Sequence, residues 1–320
     1  MSEPQHPHQK ASLVTVEPGY EGQRIDNFLI TCLKGVPRTH VYRILRKGEV
    51  RVNKGRIKAN YRIKAGDVVR IPPLRLPPKV QPPAPGQRVL DLLASAVVYE
   101  DKRLLVLNKP SGLAVHGGSG LDYGVIEALR VLRPRERELE LVHRLDRDTS
   151  GCLLVARRRS ALRALHELIR ENRVDKRYLA LLAGSWTRDK ARVEAPLLKN
   201  TLKSGERVVR VDPRGKPATT LFSVRARFPG ATLVEARLLS GRTHQIRVHA
   251  RHLGTPILGD TKYGDDEANR RARDRGLRRL FLHAESLRFR LPDEERDLVA
   301  RPPLEPGLTD FLESLKRDER

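Results

Sequence analysis

Apolar residues recur along the chain with two spacings, and the change between them divides it into elements. Ile25, Phe28, Leu29 and Leu33 repeat at helical spacing until Gly35 and Pro37 stop the run. A second helix follows, with Val41, Ile44 and Leu45 on one side and Arg38, His40, Arg43, Arg46 and Lys47 on the other. Gly48 ends it. Short strands are expected at 50–53 and 61–71, with turn signals at Asn53-Lys54-Gly55 and Ala65-Gly66-Asp67. Residues 1–16 read as a flexible tail. Seven prolines between 72 and 87 favour an extended, semi-rigid spacer. This pattern predicts a small module over 17–71 and a larger domain over 88–320.

In the larger domain, strands are expected at 97–100 and 103–108. A Pro110 and Gly112 bend and a short helix over 125–132 follow. At 141–157 two apolar runs, 141–145 and 152–156, flank the polar centre Asp146-Arg147-Asp148-Thr149-Ser150-Gly151. Asp, Thr, Ser and Gly in that order form a turn, which predicts strand, turn, strand. In a strand, alternate side chains share a face, so Arg144 and Asp146 would point together. Ser160 is expected to cap a helix carrying Leu162, Leu165, Leu168 and Ile169. Strands are predicted at 176–182, 218–226 and 231–239. A helix with Ile246, Ala250 and Leu253 inward comes next, and a capped helix closes the chain over 309–316.

Charge narrows the partners. There are 63 Lys and Arg against 39 Asp and Glu, a net charge of +24. Such a surface suits a polyanion, and nucleic acid fits best. There is no apolar run near membrane-spanning length, and the first residues lack the apolar core of a signal peptide. Cys32 and Cys152 lie in apolar patterns in different domains, which predicts buried thiols in a reducing cytoplasm. His244, His249 and His252 lie close in sequence. No carboxylate or thiol sits at ligand spacing, so RNA contacts or packed histidines are expected in place of zinc. The arginines at 270, 271, 273, 275, 278 and 279 leave two readings open, a solvated insertion or an RNA-facing arm.

Several stretches match a known family. HRLDRDTSG at 143–151, NKPSGLAVH at 108–116, KRYLA at 176–180 and GRTHQIRVH at 241–249 resemble the signatures of the pseudouridine synthases that modify ribosomal and transfer RNA. Residues 23–71, above all VYRILRKGEVRVN at 41–53, resemble the S4 RNA-binding domain. An S4-like module joined to the HRLD loop is most similar to the branch acting on large-subunit ribosomal RNA.

The resemblance implies an α+β protein. A helix-rich S4-like module would precede a catalytic domain with a mixed, mainly antiparallel sheet and peripheral helices. It implies that uridine becomes pseudouridine: N1–C1′ breaks, the uracil turns, and C5 bonds to C1′. Asp146 would be the catalytic carboxylate, Tyr178 would lie against the base, and Arg247 would pair with Asp146. Arg144 would fill the stack left by a flipped nucleotide, and NKPSGLAVH would shape the cleft. Arg38, Arg43, Arg46 and Lys47 would contact RNA. No cofactor or metal is implied. The partner would be ribosomal RNA of the large subunit or the assembling subunit, met by a cytoplasmic monomer.

The chemistry agrees with those roles. Breaking a glycosidic bond places positive character on C1′, where a carboxylate stabilises it or attacks. A free Asp, with a pKa of about 3.9, is already ionised at pH 7. A cation beside it would therefore serve to offset desolvation and fix its direction. Without the resemblance, Arg144 and Asp146 would read as a surface ion pair worth about 0–1 kcal/mol. The rival reading is a non-catalytic RNA-binding or ribosome-assembly factor. A nuclease lacks clustered acids, and Asp146 with Asp148 is too close in sequence to flank a sugar as a glycosidase pair.

Overall fold

The computed structural model describes residues 11–33, 35–74, 83–118, 121–201 and 207–317. The chain divides into two compact units, Met1–Pro82 and Pro83–Arg320. Of the expected flexible tail, residues 1–10 lie outside the described residues, and so do 75–82 of the expected spacer.

The first unit contains β1 (Ser12–Thr15), α1 (Ile25–Cys32), α2 (Arg38–Arg46), β2 (Arg51–Val52), β3 (Gly55–Arg56) and β4 (Val68–Ile71). Its strands form a four-stranded antiparallel sheet in the order β1-β4-β2-β3. Phe28 and Leu29 from α1, Val41 and Ile44 from α2, and Val69 and Ile71 from β4 close the core. Asp26 joins the helices by accepting from the Tyr42 hydroxyl at 2.9 Å and from Arg24.

Part of the supposed tail is β1, which pairs with β4 through Ser12 and Ile71. It holds only two apolar residues, adjacent Leu13 and Val14, too few to stand out in sequence. The strand expected at 61–71 is only Val68–Ile71. Gly66, at φ +85, turns the chain, and buried Asp67 collects Asn53 Nδ2, Tyr61 OH and Lys64 N at 2.8–3.0 Å. Those bonds satisfy polar groups that a longer strand would have paired.

The second unit begins with α3 (Gln87–Ser95), β5 (Val97–Glu100), β6 (Leu104–Lys109), α4 (Val125–Leu132), β7 (Glu140–Leu141) and β8 (Ser150–Ala156). It continues through α5 (Arg159–Arg170), β9 (Asp175–Ala183), β10 (Lys190–Glu194), β11 (Leu197–Thr201), β12 (Arg207–Val211), β13 (Thr219–Phe228) and β14 (Ala231–Leu238). It ends with α6 (Gln245–His252), α7 (Asp266–Asp274), β15 (Leu282–Phe289), β16 (Leu298–Ala300) and α8 (Pro306–Arg317).

One large sheet runs β10-β13-β14-β9-β15-β8-β6-β5, with β16 on β15 and β7 on β8. Among the described residues only the β15–β8 pairing is parallel, so the sheet is mixed and mainly antiparallel, within an α+β fold. Every residue of β8 is buried, as its continuous apolar run requires. Gly151 lets β15 approach: its φ is +106, and a Cβ there would lie 2.3 Å from the Ala284 carbonyl oxygen. Among the described residues no helix is long and apolar enough to cross a membrane.

The stretch expected as a strand over 141–145 is paired only at Glu140–Leu141. The ladder stops because the His143 ring, through Nε2, takes the Leu154 N–H at 3.1 Å. The chain then leaves the sheet as an arm over 142–149, and strand alternation no longer relates Arg144 to Asp146. Ser160 is not the cap of α5, which starts at Arg159 after Arg158. The last helix opens earlier than expected, at Pro306, where a missing N–H is harmless. Cys152 is buried, but Cys32 is only half-buried at the end of α1.

Candidate active site

The arm over 142–149 is held by groups on three sides. Thr149 N donates to Asp146 O at 3.2 Å, closing the turn that the sequence signalled. Lys109, fully buried at the end of β6, donates from Nζ to the carbonyls of Pro110, Leu113 and Arg147 at 2.8–3.0 Å. Gly112 N also reaches Arg147 O at 2.9 Å, and Ser111 Oγ donates to Asp148 O at 2.9 Å. Arg279 donates to Ser150 Oγ at 2.8 Å and pairs with Glu305, whose other oxygen accepts from Ser111 N. NKPSGLAVH therefore grips the arm's backbone through its first residues. Burial pushes the Lys109 pKa down to about 7, with the Glu305 charge partly opposing that fall.

Asp146 lies midway along the arm with its side chain 19% exposed. It lines a cavity of about 290 Å³ with Arg144, Lys176, Tyr178, His244 and Arg247. That is near the lower end of the roughly 300–1,000 Å³ of ligand sites. His244 Nε2 lies 3.8 Å and Arg247 Nη1 3.9 Å from Asp146 Oδ2. Tyr178 is buried on β9, and its hydroxyl makes no hydrogen bond among the described residues. Burial, and then the Asp146 charge, raise its pKa, so it stays a neutral phenol. Arg144 is exposed on the cavity wall, and Asp148 pairs with Arg147 at 3.0 Å.

Arg247 has a closer partner than the sequence suggested. Its Nε and Nη2 donate to both oxygens of Asp260 at 2.7 Å, a bidentate pair buried at 6% and 1% exposure. Burial works against both charges. The pairing outweighs it, so the Arg247 pKa is raised and the Asp260 pKa lowered. Asp260 Oδ1 also accepts from Lys262 N and Tyr263 N at 2.9 Å. The Tyr263 ring lies 5.0 Å beneath the Arg247 guanidinium. Its hydroxyl accepts from Val209 N at 3.0 Å and bonds His244 Nδ1 at 2.7 Å.

His244 stands just before α6 in a left-handed conformation, φ 54, which turns its ring toward Asp146. Burial lowers its pKa, and nearby Asp146 only partly opposes this. Burial also brings His143 down to about 4, so it remains a neutral acceptor.

Asp146, Tyr178, Arg247 and Arg144 thus meet around one cavity. Arg38, Arg43, Arg46 and Lys47 belong to the other unit, where all four are exposed on or just after α2. His249 is a packed histidine, bonded to Thr220 Oγ1 and the Ala195 carbonyl. The 265–280 stretch is neither a plain insertion nor wholly an arm. It forms α7, capped by the Asp265 side chain on Ala268 N, with Ala272 and Leu277 buried. Its Arg279 is spent on Glu305 and Ser150.

The sequence does not single out His244 as a neighbour of Asp146 or Lys109 within the cleft-shaping NKPSGLAVH run, and it gives no sign of Asp260 and Tyr263. Only the Asp260-Thr-Lys-Tyr263 spacing marks the last pair, and it looks like any turn.

Residues 103–252 match the family described as RNA pseudouridylate synthase, and residues 23–69 match the S4 domain. Ribosomal large subunit pseudouridine synthase C of Pasteurella multocida is 54% identical, covering 98% of this chain and 96% of that one. The protein of the same name from Escherichia coli K12 is 54% identical over 95% of this chain and 96% of its own. Among solved structures, human RNA Pseudouridylate Synthase Domain Containing 4 superposes with a TM-score of 0.60 at 28% identity. It covers 72% of this chain and 96% of that one. Human RNA Pseudouridylate Synthase Domain Containing 1 gives 0.57 at 27% identity, covering 72% and 97%. With relatives this similar over nearly its whole length, the chain belongs to the RNA pseudouridylate synthase family and carries an S4 domain ahead of the synthase domain.

Proposed function

We propose that this chain converts uridines of large-subunit ribosomal RNA to pseudouridine, with Asp146 as the carboxylate that acts at C1′. One observation carries the assignment to Asp146. Among the described residues it is the one carboxylate in the lining of this 290 Å³ cavity, and its neighbours there are a guanidinium, an imidazole and a buried tyrosine. The large-subunit RNA follows from the names of the bacterial relatives.

The reaction is an isomerisation. The N1–C1′ bond breaks, the uracil turns, and C5 forms the new bond to C1′. C5 gives up its hydrogen as a proton, and N1 gains one. As the bond breaks, C1′ becomes electron-poor, and a carboxylate there stabilises or captures it. Arg247, fixed by Asp260, and His244, fixed by Tyr263, flank one oxygen of Asp146 and hold the carboxylate in direction. The Tyr178 ring offers a face for the base, a contact worth about 1–3 kcal/mol.

A paired uridine must leave its stack, at a cost of a few kcal/mol. Arg144, exposed on the cavity wall, is the residue we assign to occupy the gap. The residues assigned to the site all lie on one chain, and we read the protein as a monomer acting where ribosomes are assembled, in the cytoplasm. The rival reading, a non-catalytic RNA-binding or assembly factor, would share the S4 domain and the charge but make no use of the cavity.

The test uses large-subunit RNA carrying tritium at uridine C5. The intact protein is expected to release tritium to water, and Asp146→Ala to release none while still binding RNA. No release by the intact protein on bare RNA or on assembling subunits would favour the binding factor. Release by both would remove Asp146 from its role.

A further inference from the structure

Strand β9 carries two adjacent cations with different fates. Arg177 is neutralised by Asp175 at 2.8 Å and by Glu235 at 3.2 Å. Lys176 lies two residues from Tyr178, so the two share a strand face, and both line the cavity. Its ammonium sits against the Gly241 backbone, where an added Cβ would lie 3.9 Å from Nζ. Among the described residues it makes no hydrogen bond and no ion pair.

Lys176 is nonetheless partly buried, and that burial alone lowers its pKa, with no carboxylate to offset it. Asp146, the one carboxylate lining the cavity among the described residues, already has His244 and Arg247 at its Oδ2. Partial desolvation of an unpaired ammonium costs free energy, which an anion brought to it would offset. An ammonium is a compact point charge with three donors, suited to an oxyanion. A neutral uracil carbonyl would compensate it poorly. The anion that an RNA strand brings to the wall of a nucleoside-sized cavity is its own phosphodiester.

We propose that Lys176 binds a phosphate flanking the nucleotide taken into the cavity, and so positions that nucleotide against Asp146 and Tyr178. This rests on the reading of the cavity as the uridine site. Lys176 is a positioning residue here, since it touches the backbone of the substrate and not the bonds that change.

The test uses the full-length protein and a short RNA containing a uridine that the intact protein is found to modify. The RNA is made with natural phosphates, or with one neutral methylphosphonate on the 5′ or the 3′ side of that uridine. Lys176→Met is expected to raise KM about tenfold with a smaller effect on kcat. Its thermal midpoint should stay unchanged or rise, since an uncompensated charge has gone. Lys176→Arg should recover most of the lost affinity. On one of the two methylphosphonate RNAs the intact protein should lose the same factor, and Lys176→Met should lose nothing further.

Losses that multiply on both RNAs would overturn the proposal. So would an unchanged KM in Lys176→Met, or a midpoint lowered by several degrees, which would make Lys176 structural. Failure of the intact protein to release tritium from any RNA would bring down the reading of the cavity itself, and this proposal with it.

Discussion

Arg247 carries one positive charge between two carboxylates, Asp260 at 2.7 Å on two atoms and Asp146 at 3.9 Å. The closer pair sets where the guanidinium lies, and so how far Asp146 is from a cation. Asp260→Asn keeps the shape and removes the charge, leaving Arg247 buried without its counter-ion. Breaking a buried pair from one side costs about 3–5 kcal/mol. The thermal midpoint should fall by several degrees at neutral pH, and tritium release should fall with it. The pH dependence has a defined sign. The Asp260 pKa is lowered in the folded state, so its contribution is present above the unfolded carboxylate value and is lost as pH falls through the folded one. Unfolding measured from pH 7 into the acid range should show the two proteins converging, and a constant gap would contradict the assignment. Asp146, Tyr178 and Arg247 were legible in sequence because each lies in a run whose residue types are distinctive together. Asp260 and Tyr263 were not, because a carboxylate three residues before a tyrosine in a turn has the same look whether it holds a guanidinium or water.

The arm over 142–149 teaches a similar lesson at the level of the element. It opens within an apolar stretch, 141–145, that reads like a strand, and most strands of this sheet were legible from such runs. Alternation describes where side chains would point, but not whether a ladder donor is taken by something else. Here the His143 ring takes the Leu154 N–H, and the arm leaves the sheet. It keeps its shape through backbone bonds to the Lys109–Leu113 segment, with Lys109 Nζ bonded to three carbonyls. Lys109→Met removes those bonds while filling much of the space, so tritium release should fall sharply. The same lysine should leave a signature in stability. Its folded pKa is about 7 against an ordinary 10.5, so between these values the unfolded chain holds a proton that the folded chain has lost. Stability from this group therefore rises with pH across that window, by up to a few kcal/mol. Denaturant unfolding at pH 7 and pH 9.5 should show intact protein gaining relative to Lys109→Met. A gap that narrows as pH rises in favour of the variant would mean that the charged form is the one the fold prefers.

At the scale of the whole chain, the net charge of +24 announces a polyanion without saying where it is met. The structure sorts the arginines by partner. Those around Glu100, Glu136, Asp175 and Glu235 are already engaged in ion pairs, and Arg279 is held by Glu305. Arg38, Arg43 and Arg46 are exposed on α2 and form no ion pair among the described residues, and neighbouring Lys47 has only a 3.9 Å approach to Glu49. Charges without protein partners are the ones that can displace counterions from RNA. Each phosphate contact contributes about 0.7–0.9 to the slope of log affinity against log salt. Changing all four residues to Gln should therefore lower that slope by roughly three, with affinity falling most at low salt. The buried face of α2, Val41, Ile44 and Leu45, is untouched, so the thermal midpoint should hold. Asp146→Ala supplies the contrast: it removes the chemistry and should leave the slope where it was. If the α2 variant keeps the full slope, this helix face is solvated surface, and the S4 domain must meet RNA through other residues.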